Sequence, residues 1–229
     1  MSSKTEFKKA ELFALAQVRK SMNPEGYHCI GYFHEGIFEC DHVSPITKSG
    51  GCVDADIMIV LQDWSGAEYL KRIEKSQAEY EARKGCDPKS RTNKKLDELL
   101  NRHFGLKRAD CYLTNLFPFI KGGGMSADIS CFDLVYCART FTLKEIKIVD
   151  PKMVICLGLN TFLALRSAAG HVGNLKLADA IDNPFCLERL NASVYCVAHP
   201  GGNRTRDREQ NEKDWETLKK TYDSKCKKL

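Results

Sequence analysis

A carboxylate, a carboxamide and an imidazole each stand where an apolar run gives way to polar residues. They are Asp63, preceded by Gln62 after DADIMIVL, Asn115 in CYLTNLF, and His199 in VYCVAHPGG. An open parallel sheet binds ligands beyond the carboxyl ends of its strands. Groups delivered to that edge by different strands converge, however far apart they lie in sequence. The three together suit hydrolysis of a nucleoside bond, which leaves cationic character on the sugar and negative charge on the departing base. Such a reaction needs a carboxylate near the sugar, a donor at a base oxygen and a placed water. Preorganised electrostatics of this kind are usually the largest catalytic term, and glycoside hydrolysis passes through a related oxocarbenium-like state.

Each residue also has an ordinary explanation. Asp63 suits an N-cap for a helix after Trp64. Asn115 suits a turn after a strand. A lone histidine is more often structural, although His-Pro-Gly-Gly at a strand end is less often so.

The elements that must carry these groups read as alternating strands and helices. An amphipathic helix over residues 4–21 has Phe7, Ala10, Ala14 and Val18 near helical spacing. Residues 22–52, rich in Gly, Pro, His and aromatics, read as an irregular extension. Asp56–Leu61 is a continuous apolar run without alternation, as in a strand covered on both faces. A charged helix over 67–84 follows, then the loop KGCDPKSRTN. Leu96, Leu99, Leu100 and Phe104 form a helical stripe that stops at Gly105. Further strands are expected at 110–115, 153–157 and 194–198, with helices at 140–149, after Gly158, and from Thr205 onward, where Trp215, Leu218 and Tyr222 share a face. The pattern predicts an α/β/α sandwich around a central four-stranded parallel sheet. Residues 1–52 would form a helix and extension packed on a main domain at 53–229.

Composition narrows the class. The 229 residues suffice for one α/β domain with a full core. No 18-residue apolar run spans a membrane, and the charged start argues against secretion and for a cytoplasmic, nucleoid or nuclear protein. A net charge of +5 permits a polyanion partner without demanding one. The eleven cysteines include no CxxC pair, and Cys111, Cys156 and Cys196 sit in apolar strands as buried thiols. His28, Cys29, His34, Cys40, His42 and Cys52 raise the question of a metal, but their spacings fit no standard zinc pattern.

Four pieces in order resemble the uracil-DNA glycosylase superfamily: IMIVLQDWSG, LDELLNRHFGLKRADCYLTNLFPF, CARTFTLKEIKIVDPKMVICLGLNTFLAL and VAHPGGNRTRD. The resemblance runs through most of residues 54–220. It implies removal of uracil or a related deaminated base from single- or double-stranded DNA by water attack, in a monomer with no cofactor and no metal. Asp63 would position water and stabilise the sugar cation, with Gln62 contacting a base oxygen. Asn115 would read the base, its acceptor and donors matching uracil N3–H and O4. His199 would donate to O2 as a neutral imidazole. Gly201, Gly202, Asn203, Arg204 and Arg206 would approach DNA, with Pro200 stiffening the loop. Ser126, beside Gly122–Gly124, would add a phosphate contact. The family's first motif carries Gly and Pro where this chain has Leu61 and Trp64. Its stacking aromatic falls where this chain reads CDPKSRTN, so Trp64, Phe117 or Phe119 would supply the ring. Of the cysteine positions used by the family's iron–sulfur branch, only Cys137 is matched, and Phe119 stands at another, so no cluster is expected. Two alternatives stay open: a DNA-binding member without base excision, and a hydrolase or binder of small nucleosides or nucleotides.

Overall fold

The computed structural model describes residues 3–188, 190, 192–202 and 207–226. Its centre is a five-stranded sheet in the order β2-β1-β3-β5-β4. The strands are β1 (Ile57–Asp63), β2 (Tyr112–Phe117), β3 (Met153–Leu157), β4 (Phe185–Leu187) and β5 (Ala192–Val197). Four of them pair in parallel, and β4 runs antiparallel to β5 at one edge. The expected count of four strands is therefore one short. At three residues, and directly after Pro184, β4 is too brief to leave a periodic signal.

Alternation along the strands, which in β2 holds as far as Leu116, sends side chains to two cores. Met58, Val60, Tyr112, Leu116, Val154, Cys156, Val194 and Cys196 face one side. There they meet α1 (Ser3–Ser21), α5 (Cys131–Cys137), α6 (Leu143–Val149), α7 (Leu159–Ala168) and α8 (Leu177–Asp182). Ile57, Ile59, Leu61, Leu113, Met153, Ile155, Leu157, Tyr195 and Val197 face the other side, against α4 (Arg91–Leu99) and α9 (Arg208–Cys226). Helices on both faces explain why these strands read as unbroken apolar runs. The α4 stripe ends as expected at Gly105, in the left-handed region with φ 67°.

Two helices depart from expectation. In α1, Phe7 and Val18 are exposed, and the buried face is Lys8, Leu12, Leu15, Ala16 and Arg19. The two cations are buried because their ends find partners. Lys8 donates to the carbonyls of Val53 and Val149, and Arg19 to those of Cys40 and His42. The expected helix over 67–84 breaks into α2 (Ala67–Arg72) and α3 (Lys75–Lys84), with Ile73 extended between them. The break lets Ala67 and Leu70 of α2 and Ala78 and Ala82 of α3 pack on one apolar cluster with Ile30, Phe33 and Phe38 of the extension. No described helix is long and apolar enough to cross a membrane.

Candidate active site

Asp63, Asn115 and His199 share a parity. Each lies two residues beyond a core side chain of the same sheet face, namely Leu61, Leu113 and Val197. At about 3.3 Å per residue, one further step along that face leaves the packed interior at the carboxyl edge. Register then aligns them: Leu61 sits beside Asn115, and Asp63 beside Phe117. All three line one cavity of about 430 Å³, with Gln62, Trp64, Ile46, Tyr69, Glu81 and Asn93 among the other walls.

Asn115 is 1 % exposed and lies inside β2, not in a turn after it. Its Oδ1 accepts a 2.5 Å hydrogen bond from Ser44 Oγ. Its Nδ2 is buried with no protein partner. A buried amide donor left this way costs free energy unless something else accepts from it.

Asp63 is held at both oxygens. Gln62 Nε2 donates to Oδ1 at 3.1 Å, and Lys121 Nζ pairs with Oδ2 at 2.9 Å. Lys121 is almost fully buried and also donates to the Met125 carbonyl at 2.6 Å. The pairing fixes the carboxylate's orientation at the cavity edge.

His199 sits at the mouth, one side wet and the other crowded by protein. Burial pushes its pKa below the usual 6.5; the Asp63 charge pulls it up, and Lys121 pushes it down. Gly201 N–H donates to Nδ1 at 3.2 Å. A ring nitrogen that accepts carries no proton, so the neutral ring keeps its hydrogen on Nε2 and presents a donor. A Cβ on Gly201 would stand 2.2 Å from Thr92 Oγ1, so the Thr92 side chain would have to turn away.

The remaining sequence candidates divide. Trp64 forms part of the cavity wall, its indole N–H donating to the Gly85 carbonyl at 2.8 Å and its ring edge-on to Phe38. Phe117 does not line the cavity. It is buried against Tyr27 and Phe119, and Phe119 in turn against Phe141. Tyr27 arrives from the extension and creates an apolar niche that draws the ring away from the site. Ser126 is exposed in a groove it shares with Asp63, Lys121 and His199. The glycine loop beside it turns its carbonyls on α2: Glu68 N–H donates to Gly123 O, and a Cβ on Gly66 would meet Gly124 O at 2.7 Å. Gly202 lies in a second groove, with His199, Pro200 and the exposed cations Lys89, Arg91, Lys94 and Arg208. Asn203, Arg204 and Arg206 lie outside the described residues.

Side chains without a sequence signal also reach the site. Ser44 and Ile46 come from the extension, and Lys121 from the loop after β2. Glu81 of α3 is buried and accepts from Tyr69 Oη and Gln77 Nε2. Across β2 from the cavity, Glu145 is fully buried and accepts from Tyr112 Oη and Thr114 Oγ1. Burial raises its pKa to about 7 against the opposing pull of those hydrogen bonds.

Three of the histidines and cysteines in residues 28–52 make ordinary contacts: His34 bonds the Leu70 carbonyl, His28 stacks on Tyr32, and Cys29 donates to Met22 O. Among the described residues, no three His, Cys, Asp or Glu side chains gather in a form that could hold a metal ion. Cys137 is buried, which pushes its thiol up to about 12.

A family model described as the Uracil DNA glycosylase superfamily matches residues 51–220. The chain belongs to that superfamily. The match covers every strand among the described residues and the cavity residues Asp63, Asn115 and His199, while Ser44 and Ile46 lie before it. No curated protein matches the chain. Membership in the superfamily supports a glycosylase-like hydrolase of N-glycosyl bonds in a family that acts on DNA.

Proposed function

We propose that the protein hydrolyses the N-glycosidic bond of uracil, or of a related deaminated base, in DNA. The observation that carries this reading is the buried, unpartnered Nδ2 of Asn115, a residue that lines one cavity with Asp63 and His199. In the reaction the C1′–N bond lengthens, the sugar becomes cationic and the base leaves as an anion. The Asp63 carboxylate, oriented by Lys121 and Gln62, stabilises the sugar and holds the attacking water. The Nε2–H of neutral His199 donates to a base oxygen as charge gathers there, and Asn115 donates to another. Trp64 and Tyr69 are the rings in the wall available to flank the base. The target must leave its stack to enter such a pocket, at a cost of a few kcal/mol. Lys89, Arg91, Lys94 and Arg208 beside His199 supply phosphate contacts that offset it.

The test is a single-turnover assay with uracil-bearing single- and double-stranded oligonucleotides, followed by alkaline cleavage of abasic sites. Wild type cleaves at uracil, and Asp63→Asn is slower by about 10²–10³-fold, as for loss of one preorganised electrostatic group. Intact strands across uracil, hypoxanthine and xanthine substrates defeat the proposal. A second reading, DNA binding without excision, draws on the engagement of both Asp63 oxygens by protein. Salt-sensitive binding of the same oligonucleotides without cleavage selects it.

A further inference from the structure

We propose that Ser44 is a specificity-determining positioning residue. Its hydroxyl locks the Asn115 amide so that a hydrogen-bond donor faces the cavity, and only a base showing a carbonyl oxygen there is accepted. The proposal rests on the base-excision reading above and names which edge of the base is read.

The lock is built from a turn clamped along the outer edge of β2. Ser44 and Asn115 are both fully or almost fully buried. The turn Pro45–Ser49 is fixed to the strand by Thr47 Oγ1 donating to Leu113 O at 2.7 Å and by Leu113 N–H donating to Gly50 O at 2.6 Å. Ser44 closes the turn with its own carbonyl, which accepts from Thr47 N–H. The hydroxyl is thus held on rigid backbone, 2.5 Å from Asn115 Oδ1.

The direction of this bond decides the chemistry. A hydroxyl donates one hydrogen, and an amide has an acceptor end and a donor end. With Ser44 donating to Oδ1, every polar atom of the pair is satisfied except Nδ2, which is the atom left for a ligand. Turning the amide over would make Ser44 the acceptor and strand its buried hydroxyl hydrogen, because its only described acceptor is Oδ1. That would leave the unpaired donor on Ser44, which is fully buried and not part of the cavity wall, whereas Nδ2 belongs to a residue that lines the cavity. The cavity therefore meets an N–H. A carbonyl, as at C4 of uracil or C6 of hypoxanthine and xanthine, pairs with it. The exocyclic amine of cytosine or adenine sets donor against donor. The same hydroxyl thus separates uracil from cytosine and hypoxanthine from adenine, and it does so from outside the stretch matched by the family.

The experiment compares wild type, Ser44→Ala, Ser44→Thr and Asn115→Ala on oligonucleotides bearing uracil or cytosine. Ser44→Ala frees the amide to rotate. Its kcat/KM on uracil falls roughly tenfold, the scale of one net hydrogen bond, and the ratio of uracil to cytosine excision narrows. Ser44→Thr keeps the hydroxyl and restores both. If Ser44→Ala keeps the wild-type rate and ratio while Asn115→Ala loses them, the lock is overturned and the excision reading stands. Should wild type excise nothing, the excision reading falls, and the lock is judged on binding instead. The Asn115 side-chain ¹⁵N–¹H₂ signals, assigned with Asn115→Ala, then shift with free uracil and not with cytosine, and Ser44→Ala erases the difference. Equal shifts with both bases overturn the lock.

Discussion

The two faces of β2 treat buried polar groups in opposite ways. On the face toward α5 and α6, Tyr112 and Thr114 both donate to Glu145, and Phe117 fills the end of the layer against Tyr27. On the other face, Leu113 is followed by Asn115, a residue of the cavity wall whose amide nitrogen has no protein partner. Both polar groups are sealed from bulk solvent, and both cost free energy to bury. Glu145 recovers the cost within the protein, which marks it as structural. Asn115 leaves part of it outstanding, and the proposed reading of the base uses that free donor. Burial alone does not separate these two groups, whereas their hydrogen-bond partners do.

The comparison can be broken first at Phe117. If it belongs wholly to the filled face, Phe117→Ala costs about 3–5 kcal/mol of stability in denaturant unfolding. The folded fraction would keep its preference among bases, and a changed preference would return the ring to the site. Glu145 sharpens the contrast next. Its native pKa of about 7 stands above the ordinary 4.5, so the folded state binds the proton more tightly. That contribution to stability is fully present below pH 4.5 and is lost as pH rises through 7. On the order of 3 kcal/mol is involved. Glu145→Gln has no proton to lose and should shrink the stability difference between pH 4 and pH 8 by about that amount. An unchanged difference would mean that the carboxyl is not buried as described. The smallest effect is at His199. Because its pKa lies below 6.5, turnover that needs the neutral ring should persist below pH 6.5 before failing. Asp63→Asn removes the charge that raises this pKa, so the ring should titrate lower still, as followed by NMR of its Cε1–H.

Much of this layout was readable from residue types alone. The parity that carries Leu61 to Asp63, Leu113 to Asn115 and Val197 to His199 is written in the strands, and strand ends in a parallel sheet converge. The stripe from Leu96 to Phe104 and its stop at Gly105 were equally plain. What escaped depends on packing between distant segments. Ser44 and Lys121 sit in irregular stretches with no periodicity to point inward. Phe117 looked available because Tyr27, ninety residues earlier in the chain, leaves no local trace of where it docks. Lys8 and Arg19 lie on the buried face of α1, where they meet carbonyls at Val53, Val149, Cys40 and His42 and the carboxylates of Asp54 and Glu39. The break at Ile73 serves tertiary contacts with no glycine or proline to announce it.

The clamp of Thr47 and Gly50 on β2 has a consequence for handling the protein. A version trimmed to the 51–220 stretch would bare an edge strand whose N–H and C=O groups are open to pairing with other chains. Loss of the leading fifty residues should therefore appear first as self-association and poor solubility, ahead of any defect in chemistry.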